Sequence, residues 1–162
     1  MYQPPENTGT NLEKHSNDIA LLLLGRNVTF TEFIQPIGIP LAQNNSLRGS
    51  SVVHSLTIAG WGRTNKESRA TSTVKIKALV HSWSMDSCKK LYAEVRPGQM
   101  CAGGGASKKS SCFGDSGGPV MNDDQLVGII SLGASKCGSD RTPMVVTRVE
   151  NFLKWHAEHM KM

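Results

Sequence analysis

Cys112-Phe113-Gly114-Asp115-Ser116-Gly117-Gly118-Pro119 is the stretch that decides how this 162-residue chain is read. A serine hydroxyl is a weak nucleophile until a neighbouring base takes its proton. The backbone around it must also turn sharply, so that the hydroxyl and nearby N–H groups converge on one carbonyl. Gly114, Gly117 and Gly118 permit such turns because glycine tolerates positive φ. Gly114 has no Cβ, so a substrate can approach its N–H closely. The bland alternative is a glycine-rich turn with no chemistry.

A shorter Gly-x-Ser-x-Gly would equally suit the elbow of an α/β-hydrolase. The full octapeptide, with Asp115 and Pro119 in place, is far more specific. A second segment lies upstream: Asn17-Asp18-Ile19-Ala20-Leu21-Leu22. Asp18 leads into an apolar run that reads as a buried strand over 19–24, ended by Gly25. Burying a carboxylate is costly without a partner. Taken alone, Asp18 could simply begin that strand or cap a turn. Together, in this order, the two segments resemble the trypsin/chymotrypsin-like serine proteases. The resemblance makes Ser116 the nucleophile and Asp18 the group that orients a histidine. It also makes the N–H groups of Gly114 and Ser116 an oxyanion hole.

The histidine itself is missing from the pattern. The family's Ala-Ala-His-Cys segment does not occur, and none of His15, His54, His81, His156 and His159 takes the base position. His156 and His159 have i,i+3 spacing, but two histidines make an incomplete metal site; a solvated helix face is the expectation. Neither a metal nor a cofactor is implied. In the family, a freed amino terminus pairs with the aspartate before the serine, here Asp115. Met1-Tyr2-Gln3-Pro4-Pro5 resembles an internal loop, so a truncated chain is expected.

The implied architecture is all-β, a double antiparallel β-barrel. Residues 1–40 would be the end of the first barrel and 41–55 the inter-barrel linker. Residues 56–149 would form a complete second barrel, and 150–162 a C-terminal helix. Residues 56–62 match a family strand and turn. Alternating Val74, Ile76, Ala78 and Val80 read as a half-buried strand, and residues 126–131 as a more buried one. An unfinished first barrel would expose strand edges and apolar surface.

Four cysteines allow three pairings, and zinc is a further alternative, although no Cys-x-x-Cys pair occurs. The resemblance implies Cys88–Cys101 and Cys112–Cys137. It also places Leu56 and Asn122 where many relatives carry a third bridge, so both cysteines are absent together. Disulfides and the family imply a secreted, extracellular protein, although no signal peptide is visible. The Ile19–Leu24 run is too short to span a bilayer. Asn27-Val28-Thr29 and Asn44-Asn45-Ser46 are glycosylation sequons.

Substrate preference follows from the same resemblance. Ser110 takes the pocket floor, where trypsin-like members place an aspartate for Arg or Lys. Ser131 and Gly133 line the mouth, and Met144 stands where glycine is usual. A side chain there should enter the pocket and shorten it. The expectation is a shallow apolar pocket for Leu-, Val- or Met-sized residues.

The net charge of +5 and Lys89-Lys90 and Lys108-Lys109 would attract acidic or heparin-like partners. A solvated surface is the plainer reading, and no nucleic-acid or membrane role is implied. Residues 99–104, 128–133 and 136–138 bring a closer resemblance to arthropod clip-domain proteases. Two function classes follow. One is the C-terminal part of a secreted serine endopeptidase, acting on protein or peptide substrates alongside cascade proteases and inhibitors. The other is a non-catalytic homologue that serves as a binding or regulatory module.

Overall fold

The computed structural model describes residues 4, 15–40, 53–65, 67, 69–133, 137 and 142–160. Most of the 41–55 linker, the first fourteen residues apart from Pro4, and the second sequon lie outside the described residues.

Six strands build one antiparallel sheet. They are β1 (Ser55–Gly60), β2 (Ile76–His81), β3 (Gln99–Ala102), β4 (Pro119–Asn122), β5 (Gln125–Leu132) and β6 (Met144–Arg148). Their order is β2-β1-β4-β5-β6-β3. The two outer strands meet where Ser82 bridges Ala102 and Gly103 N–H donates to the His81 carbonyl. The sheet therefore curls into a barrel, and closure removes its edges. Residue alternation sends Leu56, Ile58, Val80, Met100, Val120, Ile130, Met144 and Val146 into one buried core.

Among the described residues, two short helices attach to this barrel. In α1 (Met85–Leu91), Ser84 caps the start by accepting from Ser87 N–H. Cys88 on α1 bonds to Cys101 on β3, and Tyr92 donates its hydroxyl to the Pro143 carbonyl. Burial pushes the Tyr92 phenol above its ordinary range. The chain closes with a 3₁₀ turn over Val149–Phe152 and α2 (Leu153–His159), which places a helix where the apolar pattern predicted it. On α2, His159 Nδ1 lies 2.8 Å from the Trp155 carbonyl.

The Leu56 and Asn122 positions have a local explanation. Thr57 pairs with Met121, so the same register brings Leu56 and Asn122 opposite each other at the next step. Leu56 is buried in the core. Apolar packing thus occupies the place where the resemblance puts a bridge.

The upstream segment differs from the expectation. Residues 19–24 form no strand; only Leu21 makes an isolated bridge, and Leu22, Leu23 and Leu24 are 68 %, 76 % and 60 % exposed. A strand buries its apolar face only when neighbours pair with it and a layer covers it. Among the described residues nothing does so. Residues 15–40 instead run along the outside of the barrel, tied to it by hydrogen bonds at His15, Asp18 and Gly38 among others. Gln99 Nε2 donates to the His15 carbonyl, Ser131 Oγ donates to Asp18, and Leu126 N–H donates to the Gly38 carbonyl. The first sequon, Asn27-Val28-Thr29, is exposed on this segment.

Candidate active site

Two consecutive tight turns present Ser116. Asp115 N–H donates to the Cys112 carbonyl at 3.0 Å, and Gly118 N–H donates to the Asp115 carbonyl at 2.9 Å. Gly114 (φ 96°) and Gly117 (φ 81°) occupy the third position of each. Positive φ there with a negative φ before it defines type II turns, which demand glycine. The second turn is anchored to β5, because Gly117 N–H donates to the Ile130 carbonyl and Ile130 N–H donates to that of Gly118. Ser116 stands exposed at the second position of that turn.

The first turn fixes the direction of one peptide plane. The Phe113 carbonyl accepts from Arg63 N–H at 2.9 Å. In a trans peptide the N–H points opposite to the C=O, so the Gly114 N–H faces away from Arg63. Neither Gly114 N–H nor Ser116 N–H is engaged by a protein acceptor among the described residues. Two free donors therefore flank the serine hydroxyl, as stabilising an oxyanion requires. The Cys112–Cys137 disulfide ties the start of this loop to the segment after β5. With Cys88–Cys101, it realises the pairing expected from the resemblance.

Asp115 turns away from Ser116 into the body of the barrel. One carboxylate oxygen accepts from Gly62 N–H at 2.8 Å, the other from Cys112 N–H at 2.9 Å. A Cβ on Gly60 or Gly62 would collide with this carboxylate. Residues 60–62 thus carry a meaning that sequence reasoning missed: their glycines are space for Asp115. A cavity of about 240 Å³ opens beside Asp115, lined among others by Gly60, Arg63, Lys77, Lys108, Lys109 and Ser110.

Asp18 is tied to β5 through Ser131, whose Oγ donates to its carboxylate at 2.7 Å. The contact spans 113 residues of sequence. Asp18 itself is exposed, whereas Ser131 is only 8 % exposed. Ser131, expected only as a pocket residue, is also the partner of Asp18. No spacing in the sequence signals that contact.

Of the other expected pocket residues, Ser110 has a buried Oγ atom without a hydrogen-bond partner among the described residues, as does its neighbour Ser111. A Cβ on Gly133 would sit 3.5 Å from Ser111 Oγ. Met144 pairs with Ala102 across β6 and β3 and has no exposed surface. No side chain among the described residues hydrogen-bonds Ser116. His54 and His81 lie at the end of the β1–β2 pair, and His156 and His159 on α2.

The trypsin family pattern matches residues 5–156. The chain belongs to the trypsin family. It is 39 % identical over 161 residues to CLIP domain-containing serine protease HP8 of Bombyx mori, covering 93 % of this chain and 42 % of that relative. It is 39 % identical to Melanization protease 1 of Drosophila melanogaster, covering 90 % of this chain and 38 % of the relative. The chain thus spans less than half the length of these two relatives. Among solved structures, mouse neuropsin, a serine protease expressed in the limbic system of the brain, superimposes with a TM-score of 0.85 at 29 % identity. That match covers 98 % of this chain and 69 % of neuropsin.

Proposed function

We propose that the chain is the C-terminal part of a secreted serine endopeptidase domain. Within it, residues 1–40 end the first barrel, 41–55 link, 56–149 form the second barrel and 150–162 the closing helix. The observation that carries this reading is the pair of unengaged N–H donors, Gly114 and Ser116, beside the exposed Ser116 hydroxyl. A nucleophile loop of a non-catalytic fold has no need to leave two donors open at that point.

In the proposed reaction, a histidine outside this chain takes the Ser116 proton as Oγ attacks a peptide carbonyl. Asp18, itself held by Ser131, orients that histidine and stabilises its cation. The Gly114 and Ser116 N–H groups receive the oxyanion as it forms. The leaving amine takes the proton, and water then frees the acyl group. Asp115 is the acceptor for an activating amino terminus, with the adjoining cavity as its way in. Ser110, Ser131, Gly133 and Met144 form the pocket for the residue before the scissile bond. Ser110 brings no charge, which favours apolar side chains over Arg, while the Met144 side chain packs into the barrel core. The proposal includes an extracellular location, with cascade proteases and inhibitors as partners; the two disulfides support the location, and relatives named as a CLIP domain-containing serine protease and a melanization protease are in keeping with it.

The test is turnover. The purified 162-residue chain should not measurably hydrolyse peptide substrates, because it supplies no base to Ser116. Joined to a histidine-bearing first half of a relative's protease domain, it should gain activity that Ser116→Ala abolishes, with Leu substrates preferred over Arg substrates. Robust cleavage by the chain alone, lost on Ser116→Ala, would refute the missing-base reading. A joined protein that folds but stays inert favours a binding module instead.

A further inference from the structure

We infer that Asn27 carries an N-linked glycan, given the extracellular location proposed above, and that this glycan shields the Arg26–Asn27 peptide bond from proteases. Asn27-Val28-Thr29 is an acceptor triplet with no proline inside it. Such triplets arise often by chance, and what distinguishes this one is its setting.

Arg26, Asn27, Val28 and Thr29 are all exposed. No described residue hydrogen-bonds any of them, through backbone or side chain. Glycan transfer needs an accessible chain outside any ladder, with the carboxamide and the hydroxyl unengaged. There is also room. A groove of about 710 Å³ opens at Asn27, lined by Leu24, Arg26, Val28, Thr31 and Ile34 among others. A Cβ on Gly25 would meet nothing within 4 Å. Exposed Leu24, Val28 and Phe30 flank the site, and a bulky hydrophilic glycan supplies the solubility that these side chains do not.

The site is separate from the proposed catalytic groups. Asp18 is tied to Ser131 and Gly38 to Leu126, and Asn27 lies on the stretch between them. In the transfer, Asn27 Nδ2 attacks C1 of an oligosaccharide linked to a lipid pyrophosphate. The N–C1 bond forms and the C1–O bond breaks. The lipid pyrophosphate leaves with the electron pair, and the amide nitrogen gives one proton to a base. Protection follows from position. Exposed chain without a ladder is cut first. Arg26 is the only Arg or Lys between Lys14 and Arg48, so a protease cutting after basic residues has one target within residues 15–40. A glycan on the very next residue keeps that bond out of a protease cleft.

For the experiment, the full chain is joined to a secretory leader and produced in mammalian cells, and product is collected from both medium and cells. Peptide N-glycanase in heavy-oxygen water converts each glycosylated asparagine to labelled aspartate, which peptide mass spectrometry locates. Label is expected at Asn27. Asn27→Gln and Thr29→Ala should each remove one glycan from the intact mass, and Thr29→Ser should keep it. Trypsin should cut the parent after Arg26 about tenfold or more slowly than the Asn27→Gln chain. Disulfide-paired product without label at Asn27, or with label at Asn44 alone, would overturn the inference and leave the extracellular reading intact. Product whose four cysteines stay reduced counts against the extracellular reading instead; label present or absent at Asn27 still decides the inference. Equal cutting after Arg26 in the two chains would overturn the shielding.

Discussion

In the proposed reaction the nucleophile loop and the Asp18 segment contribute to one site, yet they are held in opposite ways. Residues 112–118 are fixed from every side: by a disulfide, two glycine turns, the Arg63 and Gly62 N–H groups, and the Ile130 ladder. Residues 15–40 are tied to the barrel by hydrogen bonds near their two ends, at His15, Asp18 and Gly38, and between them Leu23 and Phe33 are 76 % and 87 % exposed. The loop carries the means of its own geometry in nearby sequence. The segment borrows its geometry, because an apolar strand acquires a fixed place only from strands that pair with it and a layer that covers it. The proposed site therefore has one half whose shape is local and one half whose shape is collective.

The largest effect that would break this comparison is on the disulfide of the loop. Replacing Cys112 and Cys137 with serine releases a closure 25 residues long. By chain-entropy reasoning that should cost about 3 kcal/mol of folding stability. Urea unfolding with the Cys88–Cys101 bridge intact reads it directly. A loss under about 1 kcal/mol would mean that the two turns and the barrel ladder hold the loop unaided.

Legibility in the sequence follows the same division. The octapeptide, the turn glycines, the strands β1, β2 and β5 and the terminal helix could be read ahead, because each rests on neighbours within a few residues or on alternation; β3, β4 and β6 were not. The Asp18–Ser131 hydrogen bond could not, since 113 residues separate the partners and neither position is unusual by itself. The apolar run 19–24 misled in the other direction. Its composition fits a buried strand, but composition cannot say whether partners are there to bury it. Gly60 and Gly62 looked like ordinary turn residues; only the fold shows the Asp115 carboxylate pressed against them.

A smaller effect sharpens the comparison at one residue. Gly114→Ala places a Cβ at φ 96°, about 3.1 Å from Thr71 Cγ2 and 3.2 Å from Gly62 Cα. Strain of that kind should cost about 1–2 kcal/mol. The damage should be local, with faster amide exchange over 112–118 and little change in β1 or β6. Spread of the effect through the whole barrel would show that the loop is part of the cooperative core.

The smallest effect is expected at Asp18, although the proposed reaction relies on it. Its carboxylate is exposed and accepts one hydrogen bond, from Ser131. Asp18→Asn keeps an acceptor oxygen in place and removes only a charge that already faces water, so stability should change by no more than about 0.5 kcal/mol. Limited proteolysis gives a second reading, because exposed backbone without a ladder is cut first. Cleavage should fall within residues 22–37 while the loop around Ser116 stays intact, in the parent and the variant alike. A loss above about 1 kcal/mol on Asp18→Asn, or a cut-resistant segment, would show that the Ser131 contact organises residues 15–40 by itself. The half of the site read here as borrowed would then be as locally encoded as the nucleophile loop.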